Sequence, residues 1–141
     1  MLKGIDPLLG PELLQILAAM GHGDEIVIAD GNFPSESHAL RLVRLDGVSA
    51  TRAVEAILSL LPLDEFVENP AAVMAVVGDS DAEPEIVAEF RRIAEAAQGE
   101  PVTFARLERF EFYDRAREAY AIVATGERRL YGNLILKKGV L

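Results

Sequence analysis

The chain has 141 residues, half of them apolar and 26% charged, which suits one domain spanning residues 1–141 with its own core. A net charge of −9 without a clustered Lys/Arg face argues against nucleic acid as a partner. The lack of cysteine excludes disulfides and thiolate metal sites.

No apolar stretch reaches bilayer length, and Met1 to Asp6 shows no basic segment leading into an apolar core. The expectation is a cytoplasmic protein with no membrane partner. The slightly positive mean hydropathy fits either a well-filled monomer core or apolar surface buried between copies.

Gly10-Pro11 opens the first predicted helix, whose inner face carries Leu13, Leu14, Ile16, Leu17 and Met20, with Gly21 as its stop. Glu25 to Ala29 is apolar without alternation and predicts a strand buried on both faces. Leu40 to Leu45 predicts a second strand, preceded by a solvated loop around His38. Ser49 can cap a helix from Ala50 to Leu61, ended by Pro62. Ala71 to Val77 reads as a strand, and Pro84 opens a helix to Ala97 with Gly99 behind it. Val102 to Leu107 reads as a strand and Phe112 to Ala119 as a short helix. Tyr120 to Ala124 and Leu130 to Leu136 read as strands joined through Thr125-Gly126-Glu127. Interleaved strands and helices predict an α/β domain with a mixed, largely parallel sheet flanked by helices.

His22 lies in a loop between Gly21 and Gly23, where a ligand can approach the imidazole, a type of group suited to donate or accept a proton. The plain alternative is a surface histidine near a helix C-terminus. Asp30 ends the following strand, either as a ligand or as the former of the turn at Gly31-Asn32. A straight strand would keep His22 and Asp30 apart within one chain. Arg109 offers a fork of donors suited to hydroxyls or carboxylates, or a salt bridge to Glu108 or Glu111. Tyr120 and Tyr131 offer phenols. Tyr131-Gly132-Asn133 interrupts an apolar run, as a close approach by a ligand or as a β-bulge. Asp24/Glu25 and Asp79/Asp81 read as solvated turns. No phosphate loop, zinc motif or nucleophile elbow is present, and His38 has no ligand spacing around it.

Two long stretches, LLGPELLQILAAMGHGDEIVIADGNFP and RFEFYDRAREAYAIVATGERRLYGNLILKKG, resemble the fucose branch of the ribose-pyranase/fucose-mutarotase family. The resemblance departs at Asn32, where some fucose-type members carry histidine, and at Ser35-Glu36-Ser37. It implies a small α/β fold in a ring-like homo-oligomer, commonly a decamer, with sites between neighbouring subunits. It implies His22 as proton donor, and Asp30, Arg109, Tyr131, Gly132 and Asn133 as sugar contacts. The implied activity interconverts the α and β anomers of L-fucose, or a related pyranose, by acid–base ring opening. That chemistry needs no cofactor and no metal. The base stays open between Tyr120 and a bound water. D-ribose pyranase and a non-catalytic sugar-binding protein on the same scaffold are the alternatives. His22 favours an enzyme, while Arg109 and the Tyr-Gly-Asn segment favour fucose.

Overall fold

Eleven elements alternate along the chain in a computed structural model that describes residues 1–141. They are α1 (Pro11–Ala19), β1 (Glu25–Ala29), α2 (Ser35–His38), β2 (Leu42–Leu45), α3 (Ala50–Leu58), β3 (Ala71–Met74), α4 (Glu85–Gln98), β4 (Phe104–Leu107), α5 (Arg109–Glu118), β5 (Ala121–Thr125) and β6 (Leu134–Lys137). The six strands form one sheet in the order β2-β5-β1-β6-β3-β4. Five run the same way, and β6 is antiparallel to both of its neighbours. The expected mixed, largely parallel sheet is thus observed. No helix is long and apolar enough to cross a membrane.

Residue alternation along the strands divides the core in two. Ile26, Ile28, Val73, Val123, Leu134 and Leu136 face the layer built from α1, α3 and α4. Val27, Ala72, Ile122 and Ile135 face α5 and Phe33 on the other side. Because both faces are covered, central strands can be apolar at every position, as the unalternating Glu25–Ala29 run predicts. Phe90 of α4 and Phe112 of α5 anchor the two layers and are wholly buried. Each contributes about 2–3 kcal/mol in transfer from water.

Helix ends follow local chemistry. The Ser49 hydroxyl accepts the Arg52 N–H at 3.2 Å and starts α3. Gly99, at φ 78°, closes α4 in the left-handed conformation that glycine tolerates. The first helix ends differently from expectation. Met20 is its C-cap in extended geometry, and the left-handed glycine is Gly23, beyond His22.

Four further expectations are corrected. The segment around His38 is one helical turn, α2, and not a solvated loop. α5 begins at Arg109, because the Glu108 carboxylate accepts the Phe110 and Glu111 N–H groups at 2.8 and 3.3 Å. β5 and β6 are not neighbours, since β1 lies between them, and residues 130–133 form a turn ahead of β6. Glu25 is no solvated turn residue either, because its carboxylate pairs with Arg115 of α5.

Candidate active site

The two ends of the sheet carry different chemistry. Where β1 finishes, Asp30 is buried and held from three directions. Its Oδ1 accepts the Asn32 N–H at 2.9 Å, its Oδ2 accepts from Asn133 Nδ2 at 3.0 Å, and its own N–H donates to Asn133 Oδ1 at 2.8 Å. The sheet register explains the meeting. Leu134 pairs with Ile28 on antiparallel β6, so the residue before Leu134 arrives beside the end of β1.

These two side chains line a cleft of about 200 Å³ with Arg109, Tyr113, Tyr131, Phe33 and Met74. Polar groups converging on an apolar floor make a small-ligand site. A larger apolar groove of about 550 Å³, between Leu14, Leu17, Leu61 and Leu141, has one polar side chain, Lys138, already committed to backbone carbonyls. It offers no comparable recognition.

Arg109 is exposed at the rim, its guanidinium over the Phe110 ring at 4.7 Å. It forms no ion pair with Glu108 or Glu111, so neither predicted salt bridge is present. Tyr131 has φ 62°, a conformation a bulky residue adopts only when its surroundings hold it there. Part of that restraint is visible, since its hydroxyl accepts the Val77 N–H at 3.1 Å.

Gly132 corrects its expectation: it does not line the cleft. A Cβ there would lie 2.9 Å from both Glu127 Cγ and Ile86 Cδ1, so the close approach comes from the protein itself. The turn is no β-bulge, because it precedes the strand.

Sequence reasoning missed Glu127, which braces this turn. Its buried carboxylate accepts the Arg129 N–H and Nε at 3.1 Å and the Ala50 N–H at 3.2 Å, while its carbonyl accepts Gly31 N–H at 2.8 Å. Burial pushes the Glu127 carboxyl up, but the Arg129 guanidinium and the converging N–H groups outweigh it and hold the group below the usual carboxylate range.

Tyr113 was also missed. It sits at ring distances of 5.4 Å from Phe33 and 5.7 Å from His38, and so forms the cleft's aromatic wall. His38 supports that wall. Burial, then the nearby Arg117 charge, lowers its pKa against the opposing effect of Asp114.

The other end of β1 holds His22. Its Nε2 lies 3.0 Å from Asp64 Oδ1, and its ring leans on exposed Phe66 at 5.6 Å. Asp64 is only 4% exposed at its side chain, against 46% for His22. The Phe66 N–H holds the Asp64 carboxyl below its ordinary range; burial opposes this, and the bond to His22 adds to it. An ionised carboxylate can only accept, so the nitrogen facing Asp64 is the donor of this bond and Nδ1 is left for other work. Sequence reasoning did not find Asp64 as the histidine's partner.

Tyr120 shares this end of the sheet. It precedes β5, which is parallel to β1, and its N–H donates to the Glu25 carbonyl at 2.8 Å. Arg41 lies 3.9 Å over its ring. Within one chain Tyr120 is therefore remote from Asp30, and the phenols in the cleft are Tyr113 and Tyr131. Five residues of strand at about 3.3 Å each put about 16 Å between the two ends. The structure brings together Asp30, Arg109, Tyr131 and Asn133, and separately His22 with Asp64.

The chain is 53% identical to the fucose mutarotase of Homo sapiens, over 99% of this chain and 94% of that one. Its fold superposes with a TM-score of 0.92 on the fucose mutarotase of Streptococcus pneumoniae, crystallised with L-fucose, at 47% identity and 99% coverage of both chains. The Bacillus subtilis protein RbsD, in complex with D-ribose, superposes at 0.77 with 25% identity over 100% of this chain and 99% of that one. Residues 3–141 match the model of the RbsD / FucU transport protein family, and the chain belongs to that family.

Proposed function

We propose that the protein is an L-fucose mutarotase, which interconverts the α and β anomers by opening and reclosing the pyranose ring. The observation that carries this reading is the His22–Asp64 pair: an accessible imidazole oriented by a buried carboxylate. An imidazole oriented by a buried carboxylate is the arrangement of a general acid–base group, which anomer exchange needs and plain sugar binding does not. The sugar follows from the stronger likeness to the fucose-bound structure, 47% identity and 0.92, than to the ribose-bound one, 25% and 0.77.

The chemistry needs a proton delivered to the ring oxygen and another removed from the anomeric hydroxyl. Asp64 accepts the Nε2–H and stabilises the imidazolium, from which Nδ1–H is the donor to the ring oxygen. Asp30, Asn133 and Arg109 hold sugar hydroxyls, while Phe33, Tyr113 and Tyr131 supply aromatic surface. The base is Tyr120, which stands at the His22 end of the sheet and would enter the shared site with it, or a bound water. Such proton transfers are each worth about 10²–10⁴-fold.

His22 of one copy completes the cleft of another. Phe66 is exposed beside His22, and Val77, Leu130 and Phe110 are exposed around the cleft, so each end offers apolar surface to a neighbour. Joining one end to the opposite end of the next chain is a head-to-tail contact, the kind that builds a ring when the rotation between copies closes. A decamer is the size the family resemblance implies. A chain without cysteine also suits the reducing cytoplasm.

Saturation-transfer NMR on L-fucose tests the activity. Exchange between anomer signals well above the buffer rate, unchanged by a chelator, is expected. Exchange at the buffer rate would remove the mutarotase reading, and faster exchange with D-ribose than with L-fucose would favour a pyranase.

A further inference from the structure

The Leu136-Lys137-Lys138-Gly139 stretch has no part in the chemistry above, yet it touches every segment that places His22. Lys138 Nζ donates to the Leu17 carbonyl at 2.8 Å, in the last turn of α1, and to the Met20 carbonyl at 2.5 Å, at its C-cap just before the His22 loop. Its backbone continues the clamp. The Lys138 carbonyl accepts the Gly23 N–H at 2.8 Å, and its N–H donates to the Asp24 carbonyl at 2.9 Å. The His22 loop is thus flanked on its N-terminal side by an ammonium and on its C-terminal side by a short ladder.

The same stretch fixes Asp64. The Asp64 N–H donates to the Lys137 carbonyl at 3.1 Å, and the Gly139 N–H donates to the Pro62 carbonyl at 2.8 Å. A Cβ on Gly139 would stand 2.4 Å from the Leu63 carbonyl oxygen and 2.8 Å from Asp64 Cα. Only a residue without a side chain lets the two loops approach this closely. The imidazole and its carboxylate are 42 positions apart in sequence, and Lys137-Lys138-Gly139 is what both loops share.

We infer that Lys138 is a positioning residue for the proton donor, and that its ammonium fixes the His22 loop against Asp64. An ordinary cation at a helix C-terminus would stabilise α1 and do nothing more. Here one of the two carbonyls belongs to Met20, the residue that leads directly into the Gly21-His22-Gly23 loop. Besides Asp64, which bonds the His22 ring, the loop itself has one side-chain partner, Asp24, which accepts the Gly21 N–H at 2.7 Å. Loss of the ammonium therefore frees the loop on the side that the Lys138 backbone does not reach.

The kinetic part of the test rests on the mutarotase reading, and the spectroscopic part does not. The chain has two histidines, so a spectrum with labelled histidine rings shows His22 and His38 alone. His38 sits by Phe33 and Tyr113 at the other end of the sheet and is the internal control.

Lys138→Met keeps the aliphatic stem and removes the donor. It is expected to shift and broaden the His22 signal, to leave the His38 signal in place, and to lower kcat by about 10–100-fold, the scale of a catalytic group displaced by about 1 Å. KM should change by less than about threefold, since the sugar-holding groups are elsewhere. Lys138→Arg should restore both readouts. Combining Lys138→Met with His22→Ala should cost no more than His22→Ala alone, because the lysine acts through the histidine. If Lys138→Met does not fold, Lys138→Gln carries the same comparison with a shorter donor. An unmoved His22 signal in a folded variant overturns the inference, as does a loss of rate that adds to that of His22→Ala. Absence of exchange in the wild type would fell the activity reading alone, and the His22 signal would still decide the role of Lys138.

Discussion

Replacing Asn133 with alanine tests how the cleft is built. Asn133 is buried and makes two bonds to Asp30, one from its amide to the carboxylate and one from the Asp30 N–H to its carbonyl. The variant leaves a carboxylate oxygen and a backbone N–H unsatisfied in the interior. Each such group costs about 1–3 kcal/mol, with the charged one at the upper end. Water admitted to the vacated space recovers part of this, so the expected loss is about 2–4 kcal/mol. For a domain of this size that lowers Tm by about 6–12 °C, measured at a fixed protomer concentration because association contributes to apparent stability. L-Fucose affinity, read by calorimetry, should fall about tenfold or more, since Asp30 loses its orientation. Asn133→Asp should be worse at neutral pH, where two carboxylates would face each other, and should recover in part as one is protonated. A Tm within 1 °C of wild type together with unchanged affinity would refute the reasoning.

His22→Ala should slow anomer exchange by about 10²-fold or more with little change in Tm, since the residue is half exposed in a loop. Asp64→Asn should slow it less, by about tenfold, through loss of imidazolium stabilisation, and kcat is the quantity to measure. Asp64 is also a pH probe. Its pKa is depressed in the fold, so its contribution to stability is present above the unfolded value near 3.9 and is lost as pH falls through the lower folded value. Acid melts of Asp64→Asn should therefore be flatter than those of wild type below about pH 4. His38→Ala, innocuous if the histidine stood in a solvated loop, should raise KM for L-fucose with kcat nearly unchanged, because Phe33 and Tyr113 lose a packing partner worth about 1 kcal/mol.

Some of this was legible in the residues alone. The Glu25–Ala29 run has no polar alternation and can only be a strand covered on both faces. Pro84 and Gly99 bound α4 by chemistry that needs no tertiary context. What stayed hidden depends on strand direction. Asn133 reaches Asp30 because β6 runs against β1, and Tyr120 misses it because β5 runs with β1. Nothing in the residues of β5 or β6 states those directions. Asp64 was invisible for a related reason: it stands in an acidic loop like several others, and only the return of β6 brings it to His22. Tyr113 lies on the helical face beside the fully buried Phe112, and its exposure to the cleft follows from where α5 crosses the sheet. Gly132 was misread because a glycine beside polar residues suggests room for a ligand, whereas the room is filled by Glu127 and Ile86.

The central claim is that one active site takes His22 from one copy and Asp30 from another. Mixing subunits tests it most directly. His22→Ala and Asp30→Asn proteins should each be nearly inactive in anomer exchange. After dissociation and joint reassembly in equal amounts, about a quarter of the sites would pair an intact His22 end with an intact Asp30 end, so about a quarter of wild-type activity should return. Native mass spectrometry on isotope-labelled subunits verifies that hybrids have formed. Hybrid assemblies no more active than their parents would contradict the shared site.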